Sequence, residues 1–203
     1  MNIANAVTLL RLCISPIFLM IYLKYDALDI SSTTLPYILL GLMGISELSD
    51  AFDGFLARRY NQVTELGKIL DPMADSISRT TVFLTFTQAP VMLPIPLLFI
   101  FLYRDSVVST LRTICALKGF ALAARTSGKI KAVIQAVAAF IILVLMIPHS
   151  KGTLSQETLQ SISTWVVSFA AIYTIYSGID YIYANRHYIA RMLGTPSNTA
   201  PSG

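Results

Sequence analysis

Apolar runs of about twenty residues recur along nearly the whole chain, and this constrains the fold more than any other feature. A bilayer core of about 30 Å needs about 20 apolar residues per helical crossing. Six segments meet that length: Ala6 to Tyr25, Leu35 to Tyr60, Glu65 to Gln88, a fourth that follows Pro94 and Pro96 and ends near Lys118, Gly128 to Ile147, and a sixth that ends near Asn185. Only 13% of the 203 residues are charged, against about a quarter in soluble domains. Backbone groups in hydrocarbon must be paired within their own segment, so runs of this length predict helices. The expectation is an all-α integral membrane protein of six transmembrane helices, one domain over residues 1–194, with a polar cavity open to the cytoplasm.

The connections carry the punctuation. Asp26 to Thr34 and His149 to Glu157 are short and polar, Ala89-Pro90 opens a turn, and Pro148 is expected to stop the fifth helix. The first segment reads as a retained membrane helix, because no basic residue precedes it and Arg11 interrupts it. Residues 195–203 are Pro-, Ser- and Thr-rich and predict a disordered tail. Cys13 and Cys115 lie in apolar runs without metal-ligand spacing and read as buried small residues.

Basic residues set the orientation. Arg58, Arg59, Lys68, Lys118, Arg125, Lys129, Lys131, Arg186 and Arg191 fall on one side of the six crossings, and Lys24 and Lys151 on the other. Lys and Arg accumulate on the cytoplasmic side, so both termini are expected inside. The net charge of +4 follows from this asymmetry and needs no nucleic-acid partner. A multi-pass location in a bacterial-type inner (plasma) membrane is the corresponding expectation.

Within this apolar chain four carboxylates occupy residues 50 to 75. Asp50 and Asp53 are three apart, and Asp71 and Asp75 four apart. On helices each pair projects from one face. Two such helices facing each other would gather four acids, which cannot all stay ionised without cations. With no His or Cys nearby, the donor set favours Mg²⁺ or Mn²⁺. Gly54 and Gly67 would let a ligand approach the helix backbone. Arg79, one turn past Asp75, is a candidate ion-pair partner of the cluster.

A second polar group lies at a similar depth. Arg11, Arg104, Asp105, Arg112, Lys129 and Lys131 fall on the cytoplasmic halves of their segments. Ionisable groups in membrane helices are costly and usually mark function. Acids holding metal on one side and bases suited to phosphate on the other read as metal-assisted phosphoryl-type transfer at a membrane surface. An ion or proton relay in a transporter is the alternative. It needs no basic cluster, and it would more often place its acids near mid-membrane.

The pattern Asp50-x-x-Asp53-Gly54-x-x-Ala57-Arg58, eight residues, Gly67-x-x-x-Asp71-x-x-x-Asp75 resembles the complete defining motif of the CDP-alcohol phosphatidyltransferases. The resemblance implies six membrane helices and a CDP-linked lipid whose phosphatidyl group passes to a small alcohol, releasing CMP. It implies that Asp50, Asp53, Asp71 and Asp75 hold two divalent cations. It further implies that Gly54, Ala57, Arg58 and Thr64 contact the CDP portion, that Asp75 is the general base, and that the enzyme is a homodimer among membrane lipids.

Outside the motif, Asn2-x-x-Asn5-x-x-Thr8-x-x-Arg11, Leu70 to Asp75, Arg104-Asp105, Leu111-Arg112, Gly128-Lys129-Ile-Lys131 with Gln135, and Ser177 to Tyr183 resemble the phosphatidylglycerophosphate synthase branch. That branch takes CDP-diacylglycerol and glycerol 3-phosphate. Arg112, Lys129 and Lys131, with Arg104, are then the candidates for the acceptor phosphate. Ser76 and Ala132 depart from the branch, which usually has Lys and Thr there, and inositol phosphate stays open as an alternative acceptor.

Overall fold

The computed structural model describes residues 3–59, 65–117 and 125–193, with side chains for 9–49, 73–115 and 125–189. Seven α-helices run through the described residues: α1 (Ile3–Lys24), α2 (Leu35–Arg59), α3 (Glu65–Thr85), α4 (Ile95–Leu117), α5 (Thr126–Ser150), α6 (Gln156–Ala184) and α7 (Arg186–Leu193). A single 3₁₀ turn, Asp26–Leu28, lies between α1 and α2. The described residues contain no strand. The tail 195–203 and Thr64 lie outside the described residues.

Helices occupy all six segments expected from the sequence. Among the described residues, α5 and α6 are long and apolar enough to cross a membrane by length and composition. Only 39% of each apolar window is buried, so most of these side chains face outward. Trp165, Phe169 and Ile172 of α6 are each more than 60% exposed. An outward apolar surface of this extent suits hydrocarbon rather than water. Asp75 and Arg79 on α3, and Arg104, Asp105 and Arg112 on α4, lower the hydropathy of those two helices.

Three details correct the sequence reading. Pro148 does not stop α5, which continues to Ser150. A proline removes only its own N–H from the ladder; the next turn still forms, with Lys151 N donating to Ile147 O at 3.3 Å. The chain turns instead at Gly152, whose φ of +75° is one that glycine adopts without strain. Its N–H donates to His149 O at 2.9 Å. The end of the sixth segment is followed by a further helix, α7, which packs against α4 and α6. Cys13 is exposed on α1, whereas Cys115 is buried as expected.

The helices assemble around α1 and α5. α1 packs on α2 and α3; α5 packs on α6, α2 and α3; α4 joins α3 to α6. An aromatic group forms the centre of one end. Phe86 meets Phe18, Tyr22 and Phe83 edge-on at centroid distances of 6.4, 6.3 and 6.2 Å. Phe83 meets Phe101 at 4.7 Å. Edge-to-face pairs add about 0.5–1.5 kcal/mol each beyond their buried area. Along α5 and α6, buried Ala138, Ala139, Ala170 and Ala171 let the two backbones approach, as small residues do between membrane helices. Arg11 of α1, and Asp75 and Arg79 of α3, precede these aromatic residues on their helices.

Candidate active site

Asp75 is the described member of the aspartate group. Asp50 and Asp53 lie on α2, and Asp71 on α3 with Asp75; the side chains of the first three, and of Gly54, Ala57 and Arg58, lie outside the described residues. Asp75 faces a pocket walled by Arg11 of α1, Ser46 and Glu47 of α2, and Ser78 and Arg79 of α3. α1 therefore stands between the two helices that carry the motif and contributes a guanidinium to it. Arg11 Nη1 donates to Asp75 Oδ1 at 2.6 Å, from a side chain only 3% exposed. Ser15 Oγ, one turn further along α1, is 2.9 Å from Arg11 O and 2.8 Å from Ser78 Oγ. Arg79, expected to face the cluster, brings Nη2 to 3.8 Å from Asp75 Oδ2. Its Nη1 donates to Ala132 O on α5 at 2.7 Å. Arg79 thus ties α3 to α5 beside the carboxylate.

Glu47 was not singled out from the sequence. It stands three residues before Asp50, on the same face of α2, and the pocket brings it to the same wall as Asp75. That spacing was the signal available. Among the described residues no three acidic, His or Cys groups cluster closely enough to hold a metal ion. The donor chemistry nevertheless fits a hard divalent cation. The pocket offers the carboxylate oxygens of Asp75 and Glu47 and serine hydroxyls, with no sulfur or imidazole in its wall. Asp75 already collects two positive groups.

A wider cleft opens beside this pocket and shares Ser46, Glu47, Ser78 and Arg79 with it. Its inner wall is apolar, formed in part by Phe18, Met43 and Phe83. Gln135 of α5 closes one side.

The basic candidates divide into two groups. Lys131 and Arg104 converge on one carboxylate. Lys131 Nζ donates to Asp105 Oδ1 at 2.6 Å, and Arg104 Nη1 to the same oxygen at 3.0 Å. All three side chains are 13% exposed or less. Arg104 Nη2 also donates to Ser177 Oγ at 2.7 Å. Two glycines make room for it: a Cβ on Gly178 would stand 3.1 Å from Arg104 Cγ, and one on Gly128 would stand 3.6 Å from Nη2. Arg104 and Lys131 therefore bind α4, α5 and α6 together around Asp105. Arg104 and Asp105 are neighbours in the chain; the share taken by Lys131, twenty-six residues away, had no local signal.

Arg112 and Lys129 form the other group. The Arg112 guanidinium lies 6.0 Å from the Tyr181 ring centroid, and Lys129 is exposed near the start of α5. That start is anchored to α6. Arg125 reaches Asp180 with Nε at 2.9 Å and Nη2 at 3.1 Å, and Ser127 Oγ donates to the same carboxylate at 2.6 Å. The bidentate pair is the geometry Arg favours with carboxylates. It holds the turn of α5 that carries Lys129.

One end of the bundle thus carries a pocket of paired acids and arginines between α1, α2 and α3. It also carries cations on α4 and α5, with Arg79 between the two groups. Oxygen donors for hard cations, with exposed Lys129 and half-buried Arg112 for a phosphate, can serve transfer between two phosphate-bearing substrates. Known proteins agree. Residues 1–176 match the family model described as CDP-alcohol phosphatidyltransferase. The chain is 30% identical to a CDP-diacylglycerol–glycerol-3-phosphate 3-phosphatidyltransferase of Bacillus subtilis, over 91% of this chain and 95% of the relative. It is 30% identical to a protein of the same name from Rickettsia typhi, over 87% and 94%. It is also 30% identical to a probable phosphatidylglycerophosphate synthase of Mycobacterium tuberculosis, over 89% and 80%. With the aspartate motif intact and the match running through most of its length, the chain belongs to the CDP-alcohol phosphatidyltransferase family.

Proposed function

We propose that the protein transfers the phosphatidyl group of CDP-diacylglycerol to glycerol 3-phosphate, giving phosphatidylglycerophosphate and CMP. The observation that carries this reading is the near full-length likeness to relatives named for that reaction, in a chain that keeps every position of the Asp50 to Asp75 motif. A primary hydroxyl oxygen of the acceptor forms a bond to the phosphorus that bears the diacylglycerol. The bond from that phosphorus to the CMP oxygen breaks, and CMP leaves with the bond's electron pair. Asp75 takes the hydroxyl proton as general base, and it must stand within hydrogen-bond reach of that hydroxyl to do so.

Asp50, Asp53, Asp71 and Asp75 would hold two divalent cations, Mg²⁺ or Mn²⁺. When bound, these supply neutralisation of the diphosphate and stabilisation of the departing CMP. Gly54, Ala57, Arg58 and Thr64 line the nucleotide side in this reading. Arg11 and Arg79 hold the Asp75 carboxylate from α1 and α3. Arg112 and Lys129, free of the Asp105 cluster, receive the acceptor phosphate. Lys131 and Arg104 frame that site from the cluster. The chain is read as a multi-pass protein of six crossings, with both termini and the site on the cytoplasmic face of a bacterial-type inner (plasma) membrane, working as a homodimer.

The test uses labelled glycerol 3-phosphate. Purified protein supplied with CDP-diacylglycerol and Mn²⁺ should move the label into a chloroform-soluble lipid, and EDTA should stop this. Label that stays in the aqueous phase while CDP-diacylglycerol is intact would contradict the reading. In the same assay Lys129→Ala should raise the KM for glycerol 3-phosphate by about tenfold, the scale of one charge-assisted contact. The KM for the CDP-lipid should change little. An equal rise in both constants would remove Lys129 from the acceptor site.

A further inference from the structure

Gln135 carries a polar atom that the fold leaves without a partner. The residue lies on α5 and is 1% exposed. Its Nε2 donates to Thr174 Oγ1 on α6 at 3.2 Å. The single hydroxyl hydrogen of Thr174 is already committed to Ala170 O at 2.7 Å. Thr174 can therefore only accept from Gln135, and this fixes the amide: its NH₂ group points to α6 and its carbonyl oxygen elsewhere. Gln135 Oε1 is buried and has no hydrogen-bond partner among the described residues. A buried acceptor left unpaired costs about 1–3 kcal/mol, so an orphan of this kind calls for an explanation.

The setting supplies one. Gln135 lines the cleft that shares Ser46, Glu47, Ser78 and Arg79 with the Asp75 pocket. Arg79 joins the two places. It approaches Asp75 on one side and donates on the other to Ala132 O, three residues before Gln135 and on the same face of α5. Asp75 and Gln135 therefore stand in neighbouring pockets that share Ser46, Glu47, Ser78 and Arg79.

The orphan is an acceptor, so the group that meets it must donate. The diacylglycerol part of the lipid substrate offers no donor, because both of its remaining glycerol oxygens are esterified. Glycerol 3-phosphate offers two hydroxyls, of which one reacts. We propose that Gln135 is a specificity-determining residue whose carbonyl oxygen receives a hydrogen bond from the second, non-reacting hydroxyl of the acceptor. This rests on the function proposed above. A site with a buried polar group discriminates against an analogue that leaves that group unpaired.

The test compares two acceptors on the full-length protein with CDP-diacylglycerol and Mn²⁺: glycerol 3-phosphate, and 3-hydroxypropyl phosphate, which lacks the second hydroxyl. The wild type should prefer glycerol 3-phosphate in kcat/KM by about 5- to 150-fold, the factor equivalent to one unpaired buried group. Gln135→Leu should erase most of that preference by slowing glycerol 3-phosphate and leaving the analogue nearly unchanged. Gln135→Met, closer in length, should do the same and serves if the Leu variant does not fold.

An equal loss for both acceptors would overturn the inference in favour of a packing or water-holding role. So would a preference that moves between CDP- and deoxy-CDP-lipid instead, which would assign Gln135 to the nucleotide. No release of CMP by the wild type with glycerol 3-phosphate would overturn the proposed function and this inference with it. Release with an unchanged preference in both variants would overturn this inference alone.

Discussion

Asp75→Asn should lower turnover by about 10²- to 10⁴-fold, the range that a positioned general base contributes, while CDP-diacylglycerol binding stays largely intact. The substitution keeps the side-chain shape and an oxygen that can still accept from Arg11 Nη1, now 2.6 Å from Asp75 Oδ1. What it removes is the basic oxygen and its negative charge. A charged carboxylate is a weak base, so much of its effect arises from position, and here the position is held by Arg11 from α1 and Arg79 from α3. Single-turnover CMP release measures the first quantity, and equilibrium binding of the CDP-lipid measures the second. Full turnover in Asp75→Asn would remove the general-base role. Loss of CDP-lipid binding together with turnover would assign Asp75 to metal holding alone.

Asp105→Ala should be the most destabilising change in the basic half. Asp105 is the shared partner of Lys131 and Arg104, and all three side chains are largely buried. Removing one member of a buried ion pair costs about 3–5 kcal/mol, because the charges left behind lose their compensation. For a chain of this size that corresponds to about 6–20 °C in the unfolding midpoint. Thermal unfolding in detergent reads the shift. Adding Lys131→Met to Asp105→Ala should recover part of it, since one uncompensated cation is then gone. A midpoint within error of the wild type would show that the cluster does not bind α4, α5 and α6.

The acidic pattern is a local signal, and its four positions fall on α2 and α3. Asp50 and Asp53, then Asp71 and Asp75, repeat at helical spacing inside apolar runs, and such spacing survives without knowledge of the tertiary fold. The six helical segments were legible for the same reason. Pro148 shows where a local rule yields: near a helix end, one missing N–H does not stop a turn that Gly152 goes on to close.

Partners across the bundle were less accessible. Arg11 and Asp75 are separated by 64 positions, and Gln135 and Thr174 by 39. Nothing in either neighbourhood names the other. The unpaired state of Gln135 Oε1 depends on where Thr174 spends its one hydrogen, which only the packed α5–α6 interface decides. Arg104 and Lys131 were read as acceptor ligands from their charge and depth. Their commitment to Asp105 gives them a framing part as well.

The most direct measurement is the initial rate of CMP release from CDP-diacylglycerol by purified protein with Mn²⁺, across a panel of acceptors. The expected result is metal-dependent release with glycerol 3-phosphate, faster by about tenfold or more than with inositol phosphate, serine or choline. Against serine and choline, which carry no phosphate, that margin is the scale set by phosphate contacts to Arg112 and Lys129. Release with inositol phosphate but not with glycerol 3-phosphate would contradict the acceptor, and no metal-dependent release with any of them would contradict the reaction.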